Sequence, residues 1–359
     1  MTNLDELLRK YNPNGVSPVK LGDVLDYEQP SKYIVSSSEY DDNYDIPVLT
    51  AGQSFILGYT DETDGVYKAS KKNPTIIFDD FTTGYHWVDF DFKVKSSAMK
   101  MLRLRDNNSL LRYVFHSMAL INYVPSEHSR QWISKYSQFE IPIPHIKVQE
   151  EIVEILDSFT NLIDTLNEEL SLRQKQFEYY REKLLTFDDA PSLISKFTKV
   201  LRGKRLTTKE LSENANYPVY HGGTEPIGYY NEYNRDENTV MVINVGASAG
   251  TIGFCNQAFW SSDGCYCLSH NQKIDNKFLY YSLLIREYKI KSQVRYAGIP
   301  TLDQKVIENI QLFIPSLAIQ QSIVEKLDAF ESLISSLKEE IALRQKQYEY
   351  YREKLLTFN

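Results

Sequence analysis

The sequence predicts an α+β fold in which two mixed α/β globular domains alternate with two long helices. Three observations carry this. LRQKQFEYYREKLLTF at 172–187 returns as LRQKQYEYYREKLLTF at 343–358, with Phe177 against Tyr348 the single difference. Each copy closes a stretch whose apolar residues recur in heptads, the pattern of a helix with a packed seam. The regions between, roughly 16–140 and 191–311, instead alternate short apolar runs with turn residues, and they do so in matching order.

The helical unit comes first. From 141–187 against 312–358, 29 of 47 positions are identical without a gap. Each copy opens on an apolar stretch closed by Pro144 or Pro315, where a proline marks the end of a strand and the approach to a helix. Gln149 and Gln320 then begin the periodic part. In the first copy the seam rows are Leu156, Ile163, Leu170, Phe177 and Leu184, with Phe159, Leu166, Arg173, Tyr180 and Phe187 three residues on. In the second they are Leu327, Ile334, Ile341, Tyr348 and Leu355, with Phe330, Leu337, Arg344, Tyr351 and Phe358. A helix of about 41 residues is ~60 Å long. Two equivalent apolar stripes in one chain bury each other most simply. Arg173 and Arg344 interrupt the same row at the same place. Either they fix register within the seam or their stems pack and their heads reach water.

The expected boundaries are a first globular domain over 1–145, a helix over 146–190, a second domain over 191–315 and a second helix over 316–359. In the first domain IPVLTAG (46–52), PTIIFDD (74–80) and WVDFDFKV (87–94) read as strands, and LLRYVFHSMALINYV (110–124) as a helix. In the second, YPVYHGG (217–223), TVMVINVG (239–246) and TIGFCN (251–256) read as strands, and NKFLYYSLLIREYKI (276–290) as a helix.

Composition narrows the function. Hydrophobic content of 42% and charged content of 25% are ordinary for a globular protein. No run of about 18 apolar residues offers a membrane span, and the polar start MTNLDELLRKYNPNG lacks a signal-peptide core. The three cysteines, Cys255, Cys265 and Cys267, lack a second ligand pair for zinc and read as reduced thiols of a cytoplasmic protein. Net charge is −8, but it is uneven: −4 over 16–140, −6 over 141–190, +3 over 191–311 and −1 over 312–359. No strong basic footprint exists, so a DNA-binding role requires a partner that supplies much of the phosphate contact.

Catalytic motifs are missing. There is no Asn/Asp-Pro-Pro-aromatic motif, HExxH, Gly-x-Ser-x-Gly or paired metal-ligand set. GASAGTIG (246–253) lacks the Lys-Ser/Thr ending of a phosphate loop and reads as a turn between strands. Asp79–Asp80 reads as a solvated acidic pair at a strand end. Loops rich in cationic, amide, hydroxyl and aromatic side chains suit phosphates and base edges better. PVLTAGQSFILGY (47–59) and PVYHGGTEPIGYY (218–230) correspond in position. The candidate DNA contacts are Lys68, Lys71, Lys72, Thr82, Thr83, Tyr85, His86, Arg130 and Gln131 in the first domain. In the second they are His221, Thr224, Tyr229, Tyr230, Ser248, Ser262, Arg295 and Tyr296.

The doubled LRQKQ-x-EYYREKLLTF tail, the IPIPHIKVQEEIV and LFIPSLAIQQSIV stretches before it, the opening LDELLRKYNPNGVSPVKLGDV and the alternation with two dissimilar domains resemble the specificity subunits of type I restriction–modification systems. The resemblance spans essentially the whole chain. It implies two target recognition domains, each reading half of a split, asymmetric DNA site. It implies two helices packed antiparallel as a spacer, related by an internal pseudo-twofold. It further implies docking of two methyltransferase subunits, and of restriction subunits in some complexes. The chain itself would be non-catalytic and hold no cofactor or metal. S-adenosylmethionine and ATP with Mg²⁺ belong to the partner subunits. Residue-level base contacts do not transfer, because these domains vary within the family.

Two other readings fit parts of the sequence. A coiled-coil adaptor with two protein-binding modules accounts for the heptads but less well for the position-matched polar loops. An enzyme with an unrecognised site predicts activity from the chain alone.

Overall fold

The computed structural model describes residues 2–52, 54–187 and 191–358. Gln53 of the 47–59 loop, and Asp188, Asp189 and Ala190 at the end of the predicted 146–190 segment, lie outside the described residues. The chain forms two compact units: Met1–Leu166 with Glu340–Asn359, and Asn167–Glu339.

The first unit begins with α1 (Thr2–Tyr11), β1 (Pro18–Lys20), α2 (Leu21–Val24) and β2 (Leu25–Glu28). It continues through β3 (Ile46–Leu49), β4 (Ile56–Thr60), β5 (Thr75–Asp79), β6 (Tyr85–Val88), β7 (Lys93–Val94) and β8 (Met99–Leu104). Then follow α3 (Leu111–Met118), β9 (Glu140–Pro142) and the long helix α4 (Ile146–Leu185). A four-stranded sheet of order β2-β8-β5-β6 is antiparallel throughout. A three-stranded sheet, β4-β3-β7, joins β3 to β7 in parallel. Strand alternation assigns the faces. Ile76, Phe78 and Leu102 point into a core shared with Tyr113 and Val114 of α3 and with Val148, Ile152 and Leu156 of α4. Ile77, Met99 and Met101 point the other way, to Leu49, Val88 and Phe92.

The second unit repeats this plan. Its elements are β10 (Ser192–Leu193), β11 (Thr198–Leu201), β12 (Tyr217–Tyr220), β13 (Gly228–Tyr230), β14 (Thr239–Ile243), β15 (Ile252–Cys255), β16 (Trp260–Ser261) and β17 (Cys265–His270). After these come α5 (Asn276–Leu284), α6 (Glu287–Lys291), α7 (Gln304–Glu308), β18 (Gln311–Leu312) and the second long helix α8 (Leu317–Leu356). The sheets are β11-β17-β14-β15 and β13-β12-β16, the latter again with one parallel pair, and β10-β18 answers β1-β9. Val240, Val242 and Leu268 face Phe278 and Tyr281 of α5, while Met241, Ile243 and all three cysteines face the smaller sheet. The cysteines are free and buried. Their alternation is that of ordinary strand residues in a core.

Both long helices have 40 residues, one fewer than expected. The start of α4 and the end of α8 belong to the first unit, and the end of α4 and the start of α8 to the second. The pair therefore runs antiparallel. Phe159 stacks on Tyr351 with centroids 5.3 Å apart in the first unit, and Tyr180 on Phe330 at 5.5 Å in the second. Leu156, Leu166, Leu327, Leu337, Ile341 and Leu355 are buried. Phe159, Ile163, Leu170, Phe177, Leu184, Phe187, Phe330, Ile334, Tyr348, Tyr351 and Phe358 are half-buried, and Tyr180 is the exposed member. Arg173 and Arg344 each turn to their own helix, binding Glu169 and Glu340 at 3.2 Å, with Gln176 and Gln347 at 3.0 Å. Their heads are at the surface, the second of the two arrangements the sequence allowed.

Other expectations need correction. The 110–124 helix ends at Met118; Leu120, Ile121 and Tyr123 still pack on the core, but in a bent chain leading to Pro125. The 276–290 helix breaks in two at Ile285–Arg286, where the Arg286 side chain donates to the Ser282 carbonyl. The 87–94 run divides between two sheets. Asp80 is not solvated: it is 1% exposed, with the equally buried Lys100 Nζ 3.0 Å from its Oδ2.

Candidate nucleic-acid interface

In each unit three loops meet at one end of the strands. In the first they follow β3, connect β5 to β6, and span 126–132. The β5–β6 turn is shaped by Asp79, whose Oδ1 accepts from the backbone of Phe81 at 2.8 Å and Thr82 at 2.9 Å. Thr83 takes a left-handed φ of 62°, a costly conformation for a β-branched residue. Gly84 sits so close to the β3 loop that a Cβ there would lie 2.6 Å from the Ala51 carbonyl oxygen. His86 reaches the Gly52 carbonyl at 3.2 Å and stacks on Phe55 at 4.6 Å. The third loop is pinned by Asp80: its carbonyl accepts from Gln131 N–H and its Oδ1 from Trp132 N–H, both at 2.8 Å. Phe81 and His128 then stack at 4.6 Å, and Arg130, half-exposed, stands 3.7 Å from Asp80 Oδ2.

The second unit uses the loops after β12, between β14 and β15, and over 294–302. Gly246 and Gly250 both have φ of 89° and bracket the turn that carries Ser248. Gly246 N–H donates to the Pro300 carbonyl, and Leu302 N–H to the Asn244 carbonyl, both at 2.9 Å. That second bond repeats the Gln131–Asp80 backbone bond of the first unit. His221 Nδ1 accepts from Gly264 N–H at 3.1 Å, and Asp263 Oδ1 is equally close. Arg205, His221, Asn244, Asp263, Tyr266 and Thr301 line a cavity of about 380 Å³ here. Beyond it Tyr296 is 73% exposed and Ile299 69%.

The candidate residues thus fall into groups. Thr82, Thr83, His86 and Arg130 share the first cluster, and His221, Ser248, Arg295 and Tyr296 the second. Thr224 is exposed in the loop after β12. Arg295 is exposed but has Asp303 3.4 Å away. Lys71 and Lys72 sit exposed on a separate turn closed between Ser70 and Asn73, and Lys68 pairs with Asp91 at 2.7 Å. Tyr229 and Tyr230 lie on β13, Tyr229 partly exposed and Tyr230 packed edge-on against Trp260 at 5.2 Å.

Four candidates are unsuited to direct contact, the first being Thr83, 9% exposed with its hydroxyl donated to the Thr82 carbonyl. Gln131 is 0% exposed and its amide is occupied by Tyr123 and Ser129. Ser262 is 1% exposed, with its hydroxyl turned to Asp263. Tyr85 packs against Phe115, and burial pushes its phenol well above the usual range. Sequence reasoning placed Phe55, Phe81 and His128 in candidate loops at 47–59, 80–87 and 126–132 without singling them out, and it passed over Arg205. The first three are placed by stacking across loops, which leaves no spacing signal. Arg205 ends the basic run RGKR at 202–205, which was visible.

Among the described residues, no group of three His, Cys, Asp or Glu side chains could hold a metal ion. Nor is any described helix long and apolar enough to cross a membrane.

Comparison with known proteins agrees with this architecture. Residues 13–172 and 193–343 match the family described as the type I restriction modification DNA specificity domain. The EcoR124I/EcoR124II specificity subunit of Escherichia coli is 39% identical over 94% of this chain and 93% of its own. A putative specificity subunit of Haemophilus influenzae is 31% identical, covering 86% of each chain. In three dimensions the S subunit of a type I system from M. genitalium superposes with a TM-score of 0.71 at 18% identity, covering 95% of this chain and 96% of that one. The chain belongs to the type I restriction–modification specificity subunits, the non-catalytic components that confer DNA specificity.

Proposed function

We propose that the two strand-end loop clusters are the DNA-reading surfaces, each addressing one half of a split site. The observation that carries this is the repeated convergence of three loops on a shared backbone plan, with different side chains on each. One cluster offers His86, Arg130 and the Phe81–His128 stack; the other offers His221, Arg205 and Tyr296. Equivalent geometry with unlike chemistry suits two unlike half-sites. Each reader packs on its own stretch of the two long helices α4 and α8. In this reading the domains run 1–145 and 191–315.

The outward face of the helices supports docking of two copies of one partner. Leu172 and Leu343 are each 61% exposed, and Tyr179 and Tyr350 are 57% and 58% exposed. Seam packing does not require identity at such outward positions; recognition of the same surface twice does. The partner is a methyltransferase subunit that brings S-adenosylmethionine and flips the target base, with restriction subunits supplying ATP-dependent steps. Acidic helices then rely on that partner for much of the phosphate neutralisation.

The test pairs Arg205→Ala/Tyr296→Ala with His86→Ala/Arg130→Ala in the assembled methyltransferase complex, and maps methylated sites genome-wide. Each pair should relax one half-site and leave the other intact. Unaltered preference at both half-sites in both variants refutes the assignment of the loops.

A further inference from the structure

The single difference in the sixteen-residue repeat has a structural partner in each unit. In the first unit Tyr348 lies against His116 of α3. The His116 Nδ1 is 3.0 Å from Tyr348 Oη, and its Nε2 is 2.8 Å from Asp157 Oδ1. Arg112 Nε donates to the same carboxylate oxygen at 2.7 Å. His116 is 1% exposed. A neutral imidazole has one N–H and one bare nitrogen. With Nε2–H given to Asp157, the bare Nδ1 needs a donor, and the Tyr348 hydroxyl is that donor.

The second unit has the same frame with other contents. Lys277 stands for Arg112, Tyr281 for His116, Asp328 for Asp157 and Phe177 for Tyr348. Lys277 Nζ is 3.2 Å from Asp328, and the Tyr281 hydroxyl donates to Asp328 Oδ1 at 2.5 Å. Tyr281 thus reaches the carboxylate directly and turns only its ring to residue 177. Phe177 meets that ring edge-on at 6.3 Å. An arginine covers the ring in both units, Arg352 over Tyr348 at 5.3 Å and Arg181 over Phe177 at 5.2 Å, while the second unit adds Glu331, 3.3 Å from Lys277 Nζ, where the first has Thr160.

We propose that residues 348 and 177 select which globular domain each near-identical helix tail accepts. Tyrosine fits a domain helix carrying Arg-x-x-x-His, and phenylalanine one carrying Lys-x-x-x-Tyr. A phenylalanine at 348 leaves the buried His116 Nδ1 without a partner. A tyrosine at 177 brings a hydroxyl beside Tyr281, whose own hydroxyl is already given to Asp328. The energetic asymmetry is that of an unmade buried hydrogen bond, larger than the net gain from a made one.

Two double-mutant cycles in the full chain test this. The first is Tyr348→Phe, His116→Tyr and the pair together; the second is Phe177→Tyr, Tyr281→His and that pair. Thermal unfolding is followed with hydrogen exchange on peptides covering α3 and α5, which identifies the unit affected. Each single substitution should lower the midpoint of its own unit by ~2–8 °C. Each pair should recover at least half of the summed loss. Additive losses in both cycles, or Tyr348→Phe indistinguishable from the parent, overturn the proposal. Should His116→Tyr fail to fold alone, folding of its pair with Tyr348→Phe is itself the expected rescue, and failure of that pair counts against the proposal.

Discussion

Replacing Lys100 with methionine isolates the buried ion pair of the first unit. Lys100 Nζ and Asp80 Oδ2 are 3.0 Å apart with both side chains 1% exposed. The ammonium also lies 4.7 Å from the centre of the Tyr27 ring. The methionine side chain would match much of the lysine stem while leaving the Asp80 carboxylate with one backbone N–H, from Trp132 at 2.8 Å, and the half-exposed Arg130 at 3.7 Å. Removing one member of a buried pair costs ~3–5 kcal/mol, since the remaining charge keeps its desolvation penalty. In a unit of about 190 residues each kcal/mol lowers the midpoint by ~2–4 °C, so the expected loss is ~6–20 °C. The second unit supplies the control. At the positions of Asp80 and Lys100 it has Asn244 and Tyr266, and it builds the same sheet without a charge pair. Asp80→Asn combined with Lys100→Met should therefore regain most of the loss. Calorimetry of the full chain, with hydrogen exchange on the β5 and β8 peptides, measures both variants. A shift under ~2 °C for Lys100→Met, or a double variant no more stable than Lys100→Met alone, would mean that the pair is not desolvated as described.

Gln149→Leu should release the start of α4 from α3, because Gln149 accepts from Leu110 N–H and donates to the Pro144 carbonyl, both at 2.8 Å. Gln320→Leu should do the same to α8 and α5 through Asp275 N–H and the Pro315 carbonyl; each leaves buried backbone groups unpaired at ~1–3 kcal/mol apiece. Hydrogen exchange should report the loss only in the unit mutated. The two units should also differ in acid sensitivity. Burial lowers the His116 pKa below 6.5, with Arg112 and Arg352 acting in the same direction, against the opposing bond to Asp157. Asp157 is itself held low: burial raises it, but bonds from His116 and Arg112 outweigh burial. The unfolded chain then binds a proton at His116 that the folded unit refuses, so this contribution is complete above pH ~6.5 and lost as pH falls towards the folded value. Denaturant midpoints between pH 5 and 8 should fall on the acid side in the first unit, and His116→Tyr with Tyr348→Phe should remove that part of the slope.

The helical frame was legible because heptad spacing is a property of one segment alone. Seam residues such as Leu156, Leu166, Leu337 and Leu355 follow from counting. Strand positions were legible for the same local reason, and their ends were not. Apolar residues past Met118 keep packing without staying helical, and periodicity cannot distinguish these cases. The loop clusters were legible in outline only. Which side chains remain free depends on contacts between segments distant in sequence. Gln131 looks like a base-reading amide until Tyr123 and Ser129 consume it. Asp80 looks solvated until β8 brings Lys100 beside it. The Phe177/Tyr348 difference was in plain view, but His116 stands 232 residues from Tyr348 along the chain.

The membership of Leu355 and Leu356 in the first unit's core has a consequence for biosynthesis. A ribosome makes the segment from Asn167 to Glu339 before it makes the residues that close the earlier-encoded unit. The usual order, in which the leading domain finishes first, is therefore reversed. While the second unit condenses, the nascent first unit must wait with the surface under Leu355 and Leu356 uncovered. That interval is when a chaperone has most reason to bind.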